Sequence, residues 1–211
     1  MARVGLRSAM FNEIDTTTNK YKELEGNKVP KLERIIDEKF APEYNSAELY
    51  ADDVLAESDY SFKKGTLTIT VADDDDDIEM QFMGYAMSNG ENTPIVKSVN
   101  SKGKEFGYGH IVTKLVNGVK KFKVEFFPRV RWTKITTDGK TKGEGVEFGT
   151  TTIEGVVMPL EKPFMFSILK ENDFAGNVGD WEVHHTYDTL LEAEALLISL
   201  LTPTVVLPTN E

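Results

Sequence analysis

Lys121-Phe122-Lys123-Val124-Glu125-Phe126-Phe127-Pro128-Arg129-Val130-Arg131-Trp132 places Phe122, Val124, Phe126, Val130 and Trp132 on one face and Lys121, Lys123, Glu125, Arg129 and Arg131 on the other. A repeat of two is that of a strand with one face buried. Pro128 has no N–H for a ladder and leaves the parity unbroken. It points to an edge position, or to a bend where one long strand is handed between sheets. Outward from this row, Asn117-Gly118 and Asp138-Gly139 supply the positive φ angles of two-residue hairpin turns. The stretch from Glu105 to Val157 therefore reads as an antiparallel meander, and the chain is expected to be mainly β.

The 211 residues suffice for one substantial core, so a single domain over 1–211 is expected. There are no cysteines, which removes disulfides, thiolate ligands and thiol chemistry. Neither a signal-peptide core at the amino terminus nor an apolar run long enough to span a bilayer is found in the sequence, so no membrane role is expected. The net charge of −11 is unevenly spread: residues 1–80 carry 10 basic and 19 acidic groups, residues 81–160 carry 12 and 7, and residues 161–211 carry 2 and 9. A basic middle between acidic ends suits contact between copies, and the acidity argues against tight phosphate-neutralising DNA binding.

Val4 and Leu6 open one strand, and the segment from Val29 to Phe40 supplies another. From 41 to 64 the sequence is acidic and reads as a long irregular loop containing a short alternating piece, Ala47 to Ala51; loops of that length usually have a job. Thr66 to Val71 is a strand. The aspartates Asp73 to Asp77 then read as the acidic start of a short helix over about 73–84, ended by Gly84, because they lack the alternation and central glycine of a calcium loop. His110 stands in a row with Phe106, Tyr108 and Val112 and reads as a hydrogen-bonded core or interface histidine, with no second ligand at metal spacing. His184 and His185 are adjacent on a strand and point to opposite faces. Thr189-Leu190-Leu191-Glu192 makes a capping box for a helix over about 188–201, which Thr202-Pro203 stops. Residues 202–211 then form an arm.

No nucleophile and base, carboxylate pair, metal set or phosphate-cradling loop stands in its proper context, so neither catalysis nor a cofactor is expected.

Val4-Gly5-Leu6, Ala47-Glu48-Leu49-Tyr50-Ala51-Asp52-Asp53, Thr66 to Val71 with the helix ending at Gly84, the hairpin from Gly107 to Trp132, Thr150 to Gly155, and Tyr187-Asp188-Thr189 with Glu192-Ala193 follow one another along the chain. In that order they resemble the major tail proteins, or tail tube proteins, of phages with long non-contractile tails that infect Gram-positive bacteria. The run of five aspartates and the segment from Pro203 to Glu211 depart from the pattern and take no role from it. The resemblance implies an antiparallel β-sandwich or half-barrel of the tail tube type that forms hexameric rings. Stacked, the rings form a tube in the virion, assembled in the host cytoplasm, through which DNA passes without specific binding. It also implies tape-measure and tail terminator or distal tail proteins as partners.

The loop over 41–64 is then the expected subunit contact. Leu49 and Tyr50 lie on its opposite faces, Asp52 and Asp53 are among its acids, and Lys121, Lys123, Arg129 and Arg131 offer a complementary basic face. Val205, Val206 and Leu207 on the arm are further interface residues. Two other functions compete. One is a carbohydrate-binding β-sandwich with Trp132, Trp181 and Tyr108 as an aromatic platform, and the other is a metal-dependent hydrolase using Asp73 to Asp77 with a distant histidine.

Overall fold

The computed structural model describes residues 2–18, 20–51, 54–72, 76–87, 95–138, 149–161, 164–166, 174–176 and 179–202, with backbone alone for residues 2, 27, 47–51, 54–59, 86, 87, 164–166 and 174–176. In chain order the strands are β1 (Ala2–Asp15), β2 (Lys20–Tyr21), β3 (Lys31–Leu32), β4 (Ile35–Ala51), β5 (Val54–Val71), β6 (Ala86–Met87), β7 (Ile95–Val96), β8 (Glu105–Val116), β9 (Val119–Thr137), β10 (Thr151–Val157), β11 (Phe164–Phe166), β12 (Phe174–Gly176) and β13 (Val183–Tyr187). The helices are α1 (Asp76–Met83) and α2 (Leu190–Leu201). The protein is mainly β. Its principal sheet runs β2-β1-β8-β9-β10-β5-β4, with β13 on β9 and β3 on β1, and all pairings are antiparallel.

β9 is the spine of this sheet. Along one edge it pairs with β8; along the other it pairs first with β13, over Phe122 to Phe126, and then with β10, over Val130 to Thr137. Pro128 falls in the gap between these two partners, where a missing N–H costs no ladder bond. Phe106 pairs with Val130 and Tyr108 with Phe127, so three steps of β9 oppose two of β8. That extra residue is a β-bulge, and it turns over the faces of the residues that follow, Arg129 to Trp132.

The parity expected to run unbroken through Pro128 is therefore broken. Phe122, Val124 and Phe126 pack in one core with Met10, Ile14, Ile111 and the inner face of α2, while Val130 and Trp132 pack on the opposite face with Phe127, Phe106, Tyr108, Leu67, Ile69 and Phe82 of α1. A sheet with both faces covered needs apolar residues of both parities, which is why Phe126 and Phe127 are both buried. The sheet also curls, because β4, last in the strand order, is brought over β8, where Tyr108 meets Glu38. The result is a half-barrel filled by the second core, with α2 packed on its outside.

Asn117 and Gly118 have φ of +50° and +81°, and Val116 pairs with Val119, as a two-residue primed turn requires. Asp138-Gly139 does not make such a turn. Thr137 pairs with Thr151 and the Asp138 N–H donates to Thr150 O, so β9 returns only after residues 138–150. The apolar alternation that can fill the second core, through Ile153 and Val157, begins only there.

Both helices lie where they are expected. The Thr189 hydroxyl accepts from Glu192 N–H at 3.3 Å and donates to Glu192 Oε2 at 2.8 Å. Gly84, with φ of +64°, ends α1, and Tyr85 N–H donates back to Met80 O. Asp76 and Asp77 occupy the first turn of α1, and Asp73 to Asp75 lie outside the described residues.

The stretch 41–64, expected as an irregular loop, is a regular antiparallel ribbon. β4 and β5 stay paired from Ile35 with Val71 to Ala51 with Val54. Ala41 to Ser46 of the ribbon are all exposed and leave no alternation to read.

Trp132 is 1 % exposed, stacks on Phe82 at 4.6 Å and lies against Gly155, where a Cβ would stand 2.7 Å from the indole. Trp132→Ala should cost about 3–5 kcal/mol, read as a fall in the denaturant midpoint or as insoluble protein. A soluble variant with the wild-type midpoint would place the indole outside the core.

Candidate functional site: a projecting ribbon and the charged seam at its root

A train of rings runs from the second core out along the ribbon. Phe40 of β4 lies 4.8 Å from Phe127 and 5.7 Å from Trp181, which precedes β13; Trp181 stacks on Phe62 of β5 at 4.2 Å and 11°, and Phe62 meets Tyr44 edge-on at 6.1 Å. Gly65 makes this possible, because a Cβ there would stand 2.3 Å from the Phe40 ring. Tyr60 is two residues from Phe62 and opposite Ser46, so it continues the same face. Tyr44 and Tyr60 are 53 % and 63 % exposed. The ring train thus begins in the core and ends as two open tyrosines on one face of a projecting ribbon, the type of surface that aromatic contacts use.

Beneath the root of the ribbon lies a charged seam that joins four strands. His110 of β8 is buried, with Nδ1 3.0 Å from Glu38 Oε1 of β4 and Nε2 3.1 Å from Glu125 Oε2 of β9. The Nε2 contact is aligned as a hydrogen bond, whereas Nδ1 meets Glu38 off-line, as a charge contact. Glu125 also receives Arg3 of β1 and Lys123 at 2.6 Å each, and Tyr108 donates to Glu38 Oε2 at 2.6 Å. A cleft of about 600 Å³ between β1 and β4 borders this cluster.

Burial works to raise the Glu125 carboxyl, but hydrogen bonds from His110 and Lys123 outweigh it and hold it at about 2. Glu38 goes the other way: burial lifts its carboxyl above the ordinary value, against the lowering pull of His110 and Tyr108. The difference follows from the burial of Glu38 and from the Lys123 hydrogen bond that Glu125 receives and Glu38 lacks.

Lys121, Lys123, Arg129 and Arg131, expected to form one open basic face, do not. The bulge puts Lys121 and Lys123 on the His110 side of the sheet and Arg129 and Arg131 on the other. Each is also already paired: Lys121 with Asp188, Lys123 with Glu125, Arg129 with Glu105 at 2.7 Å and Glu161 at 2.8 Å, and Arg131 with Glu105. Burial would raise Glu105, yet its hydrogen bonds to the two arginines bring it below the ordinary carboxylate range.

Leu49 and Tyr50 lie on the ribbon, opposite Glu57 and Leu55, and their side chains fall outside the described residues. Asp52 and Asp53, and Val205, Val206 and Leu207 of the arm, fall outside them as well. Trp132 and Tyr108 are buried, and Trp181 lies under Phe62 and Phe40, so these three rings make no open platform. Among the described residues no grouping of histidines and acids has the geometry of a metal site. The seam itself was not legible in the sequence: Glu38 stands 72 positions from His110, and only the curl of the sheet joins them.

A carboxyl held below its ordinary value contributes stability that is full above that value and lost as pH falls through the folded one. For Glu125 the window runs from about 4.5 down to about 2, and with solvent screening the displacement is worth roughly 1–3 kcal/mol. Glu125→Gln should lower stability at neutral pH by about that amount and flatten the acid loss between those values, measured as denaturant midpoints against pH. An acid limb as steep as that of the wild type would remove Glu125 from this role.

Compared with protein-family models and with curated proteins, the chain matches none.

Proposed function

We propose that this chain is a structural protein that assembles with copies of itself, as the tail tube subunit of a long-tailed phage: hexameric rings, stacked, enclosing a channel for DNA. The observation that carries this reading is the ribbon. A small half-barrel carries two long paired strands in which Ala41 to Ser46 are exposed and Tyr44 and Tyr60 stand open on one side. A long, exposed strand pair is an aggregation liability unless a partner covers it. A neighbouring copy is the partner that a self-assembling chain supplies. The sequence resemblance, which spans most of the chain in order, points to the same kind of assembly, to a virion location, and to tape-measure and terminator or distal tail proteins as partners.

The ring train fixes the ribbon's direction at its root, so the outer rings are presented rather than left to wander. Apolar anchors set affinity, and acids such as Glu43, Glu48 and Glu57 set register, because an exposed ion pair is worth only about 0–1 kcal/mol.

Replacing Ala47 to Asp59 with a short Gly-Ser turn should leave a folded subunit by circular dichroism that sediments as a monomer and forms no rings. If that variant polymerises at the wild-type concentration, the ribbon is not the contact. A channel through which DNA slides must also not hold it, so assembled particles should retain no duplex DNA even at low salt. Salt-dependent retention would point to a basic lumen and contradict a conduit.

A further inference from the structure

At the ribbon root one imidazole stands between two carboxylates. An ionised carboxylate offers only lone pairs, and a neutral imidazole carries one N–H. His110 faces Glu38 with Nδ1 at 3.0 Å and Glu125 with Nε2 at 3.1 Å, with the ring 1 % exposed. The Nδ1 contact is off-line for a hydrogen bond, so with a neutral ring an ionised Glu38 would lie buried against it with no attraction between the two. The bridge is therefore attractive on both sides only with one more proton, carried by the ring or by Glu38.

The two glutamates differ in what else holds them. Glu125 keeps Arg3 and Lys123 at 2.6 Å whatever the ring does. Glu38 keeps the Tyr108 hydroxyl and, among the described residues, no lysine or arginine at ion-pair distance. The remaining charged groups around the cleft are Asp37 on β4, Lys114 on β8 and Glu182 ahead of β13. Burial and the charge of Glu125 disfavour a Glu38 carboxylate beside the ring, against the pull of Arg3, while Lys114 acts on Lys123, Glu125 and Arg3. Loss of the shared proton thus releases Glu38 and leaves Glu125 in place.

We propose that this proton is a latch on the ribbon: bound, it fastens β4 to β8 through Glu38 and His110; lost, it lets Glu38 turn into the cleft and the root of the ribbon loosen. Phe40, two residues on from Glu38, starts the ring train, so the state of the latch is passed to Trp181 and Phe62. The direction of the Glu38 shift agrees. A carboxyl raised in the folded state contributes stability that is full below its ordinary value and lost as pH rises through the folded one, so the root is firmest in mild acid.

The experiment uses dilute, unassembled full-length chain between about pH 5 and about pH 9. Amide exchange over residues 37–46 reads the root directly, and Trp181 fluorescence in a Trp132→Phe background, which leaves one tryptophan, reads the ring train. Opening of β4 should increase with pH by up to about tenfold per unit, the slope of one proton, while far-UV circular dichroism stays native. Glu38→Gln supplies an amide that donates to Nδ1 and accepts from Tyr108 without a titrating proton, and should keep the root closed throughout. A wild-type root whose exchange, once divided by the intrinsic amide rate at each pH, does not change with pH, or a Glu38→Gln variant with an unchanged transition, overturns the latch. The further consequence, that polymerisation follows the same proton, rests on the proposed function alone. Assembly indifferent to pH beside an intact exchange transition would leave the latch standing and sink the ribbon's part in assembly.

Discussion

The half-barrel depends on one extra residue in one strand. At Pro128 and Arg129 the bulge in β9 lets a single strand line two cores, giving Phe122, Val124 and Phe126 to the α2 side and Val130 and Trp132 to the α1 side. It also lets β9 exchange β13 for β10 along one edge at the point where proline could not have made a ladder bond. Without that change of face, the charged residues beyond Pro128 would point where the second core now lies. Burying Arg129 and Arg131 among Phe106 and Leu67 without partners would cost several kcal/mol each. On the outer side they clasp Glu105 instead.

The curl that follows from this spine creates the charged seam. Glu38, His110 and Glu125 lie on three strands, and Arg3 on a fourth, so no pair of them is local in sequence apart from the hairpin partners His110 and Glu125. The seam is placed where the ribbon leaves the body. A buried ion network is seldom a source of net stability compared with well-packed apolar groups, and a role in fixing geometry is its better-attested use. Here the network ties β4 to β8 next to the start of the ribbon.

What was legible in the sequence and what was not divide along physical lines. The meander, the Asn117-Gly118 turn, the acidic start of α1 and the capping box of α2 were legible because each is written in neighbouring residues: alternation, a dipeptide, a Thr and a Glu three apart. Pro128 marked the right place for a bend, but the parity on either side looked continuous, because a bulge flips faces without leaving a gap in the pattern. The ribbon was read as a loop because strands are recognised by a buried face, and from Ala41 to Ser46 it has none. The basic face was read as open because the acids that close it, Asp188, Glu105 and Glu161, are supplied by other elements. His110 was read as a hydrogen-bonded interior histidine, which it is, but its partners required the fold.

Under the proposed function, the ribbon, with its ring train and its root, is the surface that one copy offers to another. Electron microscopy of the purified, unmodified chain across a range of concentrations tests this most directly. The account predicts rings and stacked tubes with sixfold symmetry and a central channel. A chain that stays monomeric at every concentration, or that forms only amorphous aggregate, would contradict it.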